Sequence, residues 1–426
     1  MAGNPAQRSI KTRPQSRAET NVSKIMAEAE EKEQPELDTH SAMHYHWRVW
    51  ELTGLMRPKG VSDVAYLVYA ILINVLVTIL FPLSLMARLF FTHNMQEMCE
   101  NLTISITDIV ANLKFVNVYL VREQLHEIRL LLRQLDVRAR QVGHPEELGA
   151  LRSEVEIAKS GFRYFARIFV FGTTLSCLRV AILPERQLLY PAWFGVDWRH
   201  STKAYVAIYI YQLFGLIVQA VQNCASDSYP PAYLCLLTGH MRALELRVLR
   251  IGYKSTDGME SSGDFVAWQR QMHAELIDCI RDLMLIYRLR SIIQRILSVA
   301  CMAQFACSAA VQCTVALHFL YVVDDNDLSA MILSIVFFAA VTLEVFIICY
   351  FGDRMRTQSE ALCDAFYACN WVEQLPKFKR DLLFTLARTQ RPSMIFAGNY
   401  IALSLETFEE VMRFTYSVFT LLLRVK

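Results

Sequence analysis

Hydrophobic positions in this chain fall into long uninterrupted runs separated by polar segments, and the run lengths decide what the chain is. Ala65–Ala87 and Ala204–Ser226 are each 23 residues without a charge, Ile296–Val323 is 28, and Leu328–Tyr350 is broken only by Glu344. A helix needs about 20 apolar residues to cross roughly 30 Å of hydrocarbon, so each run predicts a span. Three further stretches are amphipathic. Met98–Leu120 carries Glu100, Asp108 and Lys114, Phe162–Leu183 has Arg163, Arg167 and Arg179, and Met394–Leu423 carries Glu406, Glu409, Glu410 and Arg413 in its first part. The pattern predicts an all-α bundle of seven transmembrane helices, with spans near 65–91, 98–120, 162–183, 204–226, 292–323, 328–352 and 394–423.

The polar segments are patterned too. Val121, Leu125, Ile128, Leu132 and Leu135 step by three and four, and Leu148, Leu151 and Val155 continue after Pro145. Leu237, Met241, Leu244 and Val248 form a stripe beyond Pro230-Pro231, and Phe265, Trp268, Met272, Leu276, Cys279, Leu283 and Ile286 form another across the connector Gly252–Gly263. Such stripes are amphipathic helices that need a partner. The spans are expected to continue as helices beyond the membrane and pack there as an anchor bundle, within the chain or against neighbouring subunits. The first 44 residues are polar, lack the apolar core of a secretion signal, and read as a disordered tail ahead of a folded region 45–426.

Charge then orients the bundle. Lys and Arg number 31 in the N-terminal segment and in 121–161, 227–291 and 351–393, against 6 on the opposite side. Positive charge is retained in the cytoplasm, which places the N-terminus inside and, after seven crossings, the C-terminus outside. Composition agrees with a membrane protein: 54% apolar, 20% charged, mean hydropathy +0.26. A net charge of +2 supplies no footprint for nucleic acid.

The outward segments are short and aromatic. Tyr190, Trp193 and Trp198 precede the fourth span, as interfacial anchors or as a lid over a pocket. The last span is too acidic to face lipid all round, since a charge at mid-membrane costs about 2.5–3.5 kcal/mol by insertion scales. It is buried by its neighbours or lines an aqueous path. Glu406, Glu409 and Glu410 would form an acidic vestibule, with Leu421–Leu423 and Val425 a constriction; Glu409 and Arg413 are also spaced to pair with each other. Glu344 is expected to pair with another span or touch an ion path. Asn101-Leu-Thr103 is a glycosylation sequon almost at the membrane; Asn21-Val-Ser23 would be cytoplasmic. No phosphate loop, HExxH or CxxC occurs, and Cys301, Cys307 and Cys313 suit helix contacts better than metal ligation. No enzyme, metal or cofactor is expected.

Three segments resemble the insect odorant receptors: the C-terminal PSMIFAGNYIALSLETFEEVMRFTYSVFTLLLRVK with Pro392, Gly398, Ser404, Phe408, Tyr416 and Ser417; LLYPAWFGVD before the fourth span; and DSYPPAYLCLLTGHMRALELRVLRIG with Asp227 and His240. Leu422 and Leu423 stand where the gustatory receptors carry Gln and Phe, which favours the odorant branch. The resemblance implies an odorant-gated, non-selective cation channel at the plasma membrane of a sensory dendrite, formed as a heterotetramer with the odorant receptor co-receptor and binding a small volatile organic ligand. The second cytoplasmic segment is shorter than the co-receptor's, which marks a ligand-tuning subunit. Carried over by position, the pocket would be Ile106, Val110, Gly172, Thr173, Ser176, Tyr205, Tyr209, Gln212, His318, Met331, Ile335 and Phe338, with the gate at Leu421, Arg424 and Val425. The alternatives are a gustatory-type chemoreceptor, or a receptor of the same topology signalling through a cytosolic partner.

Overall fold

The computed structural model describes residues 37–92, 95–182, 187–253, 262–325 and 327–425. The expected tail lies largely outside them, as do Asn21 and most of the Gly252–Gly263 connector. Among the described residues the first element is a 3-10 turn, Thr39–Met43, with Thr39, His40, Ala42 and Met43 buried. The Thr39 backbone N–H donates to Asp136 Oδ2 at 2.9 Å, tying the turn to a distant helix.

Among the described residues ten helices follow: α1 His44–Leu52, α2 Asp63–Leu89, α3 Met95–Leu120, α4 Arg122–Val142, α5 Pro145–Ile182, α6 Thr202–Leu249, α7 Ser262–Asp325, α8 Leu328–Ala368, α9 Pro376–Thr389 and α10 Leu405–Val425. By length and apolarity α2, α6, α7 and α8 qualify as membrane spans, the four that carry the long apolar runs. The amphipathic α3 meets α4 at a 62° bend. Helices α6 and α7 run for 48 and 64 residues without a break, so the spans do extend into the polar segments.

The largest core lies at that polar end. Leu125, Ile128 and Leu132 of α4, Leu237, Met241 and Val248 of α6, and Met272, Leu276 and Ile286 of α7 are all buried in one cluster with Trp50, Tyr229 and Tyr233. Water on the outside drives this burial. Along the spans the same drive is absent, and Val64, Leu72 and Ile210 remain more than half exposed on the lipid side. Charge joins the polar end: Glu147 pairs with Arg247 at 2.7 Å and with Arg250, and Asp282 with Arg247 at 2.5 Å and with Arg138.

Within α2, Asn74–Leu80 is a π-helical segment. Pro82, just past this segment, brings no N–H to the Thr78 and Val77 carbonyls four and five residues before it, and a lipid environment supplies no replacements. Side chains from α3 and α6 do so. Tyr211 donates to the Leu76 carbonyl at 2.7 Å, Gln219 to Val77 at 3.1 Å, and Asn112 to Thr78 at 3.1 Å.

The expected helix over 394–423 begins late. Phe396–Ala397 and Ile401–Ala402 form an antiparallel pair, β1 and β2, and the helix starts at Leu405. The turn between the strands needs left-handed backbone at Gly398 (φ 58°) and Asn399 (φ 65°), which stops a helix there. The Gly398 N–H donates to Ser298 of α7 at 2.8 Å, and a Cβ at Gly352 of α8 would strike the Leu403 carbonyl. What remains, 21 residues, is about 32 Å of helix, close to one hydrocarbon thickness.

Candidate functional site

A cavity of about 190 Å³ opens among α2, α3, α5, α6, α7 and α8. Its apolar wall includes Phe81, Ile104, Phe169, Val311, Val315, Phe337 and Val341. Tyr190, from the segment before α6, lies on the wall with its hydroxyl 3.0 Å from Ser176. Its neighbour Trp193 instead stacks on Phe91 at 5.3 Å and stays half exposed, as an interfacial ring would. One aromatic segment thus supplies both a wall residue and an anchor.

Toward the polar end the wall becomes charged. Lys114 of α3 forms an ion pair with Asp227 of α6 and donates to Gln304 Oε1 of α7 at 2.7 Å. The Gln304 amide then donates to Glu344 of α8 at 2.9 Å. Four helices are cross-linked by one chain of bonds, and Glu344 has its partner on another span. Charges this deep in protein are tolerated only when paired and hydrogen-bonded. His318 is also buried on the wall. Its Nδ1–H donates to Ser334 Oγ at 2.9 Å, whose own proton goes to the Ala330 carbonyl at 2.8 Å.

Of the positions carried over by resemblance, Gly172, Thr173, Ser176 and His318 lie on the cavity wall. The others belong to the same helices or to α6 but do not lie on this wall. Ile106, Val110 and Phe338 pack against the small cluster of Cys307, Val311, Val315 and Val341, while the wall positions of α3 are Glu100, Thr103, Ile104, Thr107, Asp108 and Lys114. Met331 and Ile335 miss the stripe Leu333, Ser334, Val336 and Phe337 of α8, and Ile335 is 55% exposed. Gln212 is buried but engaged by the preceding segment, accepting from the Leu189 N–H at 3.1 Å and donating to the Tyr190 carbonyl at 2.9 Å. Tyr205 donates to the Gln187 carbonyl at 3.1 Å and neighbours Tyr209. The cavity therefore starts a turn lower on α6, at Leu216, Gln219 and Asn223.

Position transfer passed over Asp108, Lys114, Gln219, Asn223, Asp227, Gln304 and Glu344. The signal for the charged ones was present, since an ionisable residue inside a span marks a functional site by default. Asn101 offers a contrast. Its side chain is buried, donates to the Pro191 carbonyl at 2.6 Å and accepts from Ser105 at 3.0 Å, so the folded chain has no room for a glycan there.

Helix α10 presents two faces. Thr407 and Thr415 are buried, and Phe408 packs edge-on against Phe346 at 5.3 Å. The other face exposes Glu406, Glu409, Glu410, Arg413, Ser417, Leu421 and Arg424. Glu409 and Arg413 pair at 2.5 Å. Val425 ends the helix, its side chain outside the described residues.

The family model described as 7tm Odorant receptor matches residues 94–416. Odorant receptor 2a of Drosophila melanogaster is 75% identical over 397 residues, 93% of this chain and 100% of that one. Odorant receptor 19a of Drosophila melanogaster is 29% identical over 393 residues, covering 92% and 97%. Among solved structures, the insect olfactory receptor OR5 from Machilis hrabei shares the fold with a TM-score of 0.73 at 15% identity, covering 92% of this chain and 100% of that one. The same receptor in complex with eugenol gives a TM-score of 0.73 at 14% identity. The matched family model and the extent of the similarity to Odorant receptor 2a show that this chain, a multi-pass membrane protein, belongs to the insect odorant receptor family.

Proposed function

We propose that the chain is the odorant-binding subunit of an odorant-gated, non-selective cation channel, assembled with the odorant receptor co-receptor as a heterotetramer in the plasma membrane of a sensory dendrite. Its N-terminus is cytoplasmic and its C-terminus outside, as the 31:6 distribution of Lys and Arg implies. The observation that carries the reading is the charged face of α10. Glu406, Glu410 and Arg424 stand exposed on a helix one membrane thick, and lipid would reject them. Facing an axis shared with other subunits, the same face lines a water-filled path. The acidic end gathers cations, and Leu421, Arg424 and Val425 sit at the far end, where a constriction gates by dewetting.

The cavity supplies the other half. It is concave and mainly apolar with a few polar groups, as a site for a small volatile molecule is. A ligand shifts the open fraction only by binding the open arrangement better than the closed one. The test is co-expression with the co-receptor in non-neuronal cells, recording current across a broad odorant panel, followed by purified tetramers in bilayers. Odorant-evoked cation current in both is expected. Silence from a complex delivered to the surface would overturn the reading, and current confined to intact cells would point to a cytosolic partner.

A further inference from the structure

The polar side of the cavity carries acceptors left unmet. Asp108 Oδ2, Gln219 Oε1 and Asn223 Oδ1 are buried oxygens of wall residues, and among the described residues none of them has a hydrogen-bond partner. The residues are 5%, 3% and 8% exposed. All three atoms accept. The Gln219 amide cannot turn its nitrogen toward the cavity, because its N–H groups serve the Val77 carbonyl at 3.1 Å and Asn112 Oδ1 at 3.4 Å. Neighbouring donors are also committed: the Tyr211 hydroxyl to the Leu76 carbonyl, and Lys114 to Asp227 and Gln304.

We propose that the cavity selects hydroxyl-bearing apolar molecules, alcohols and phenols, with Asp108 as the specificity-determining group that takes the ligand's O–H. The inference rests on the cavity being the odorant site. Desolvated acceptors left without a donor oppose binding, so a ligand that brings a donor gains over one that does not. The selection belongs to the carboxylate form of Asp108: an alcohol donates to it and an ether cannot. Ethers and aldehydes bring only acceptors and meet the fixed Gln219 oxygen acceptor to acceptor. The hydrocarbon lies against the Phe169 and Phe337 side, where no hydrogen bond is asked of it. Rejection of an analogue that lacks the expected donor is the strong form of discrimination available to a binding site.

The test uses pairs matched in heavy atoms: 1-octanol with heptyl methyl ether, geraniol with citral, 2-phenylethanol with benzyl methyl ether. Each is applied to the full chain co-expressed with the co-receptor, reading current, and to the purified complex in detergent, reading the melting temperature. In at least one pair the alcohol is expected to be about tenfold or more the more potent. Asp108→Leu should bring that ratio close to one, while Asp108→Asn keeps part of it. Equal or better action of the acceptor-only partner in every pair overturns the proposal, as does an alcohol preference that survives Asp108→Leu. If Asp108→Leu does not reach the surface, Asn223→Leu is read on the same pairs by the same criteria. An alcohol-selective rise in melting temperature without current upholds the ligand class and refutes the channel. No response to any probe in either assay overturns the ligand class.

Discussion

Thr415 of α10 donates its hydroxyl to Gln312 Oε1 of α7 at 2.7 Å, and the Gln312 amide donates onward to Thr342 of α8 at 3.1 Å. Gln312 is fully buried and follows Val311, a wall residue of the cavity. Two helices that enclose the cavity are thus bonded to the helix proposed to line the pore.

Thr415→Val removes that hydroxyl while keeping the shape. The abandoned Gln312 oxygen costs about 1–2 kcal/mol in whichever conformation held the bond. If the bond belongs to the closed arrangement, spontaneous current rises and the odorant dose–response shifts to lower concentration. A bond specific to the open one shifts it the other way. An unchanged dose–response would show that the bond persists in both.

Lys114→Met is expected to be far more damaging. It leaves Asp227 without its cation in a buried setting, a loss on the order of 3–5 kcal/mol. Melting of the purified complex and surface delivery should both fall. The double variant Lys114→Met/Asp227→Leu should recover part of the loss, because Asp227 no longer stands buried without its cation.

His46 gives a pH dependence. It is fully buried in α1, 2.9 Å from Ser228, and burial pushes its pKa down to about 3. Its folded pKa lies below the unfolded value near 6.5, so the unfolded chain takes up the proton first. Stability is therefore complete above about pH 6.5 and declines as the pH falls toward 3. Melting temperature measured from pH 7.5 to 5 should drop, and His46→Gln should flatten the slope.

Arg424 stands exposed in the last turn of α10. A cation beside the narrowest point of a pore disfavours cations there. Arg424→Gln in the heteromer should raise conductance or alter ion preference in single-channel records. Identical records would remove Arg424 from the pore.

Sequence alone determined the helices and their partition. Runs of 23 to 28 uncharged residues predict spans because the thickness of hydrocarbon is fixed, and the stripes from Val121 to Ile286 predict the anchor core because helical periodicity is local. The segment Met394–Ala402 defeated that reasoning: it was read as the start of the last helix, yet Gly398 and Asn399 turn it into a hairpin held on α7. Tertiary structure also decided which face of each helix meets the cavity. Ile106 and Asp108 differ by two positions, about 200° of helix rotation, and only packing against α6 and α7 settles the phase. The orphaned acceptors arise the same way. Gln219 reads as an ordinary polar residue until the Val77 carbonyl of α2 claims its N–H and leaves its oxygen at the cavity.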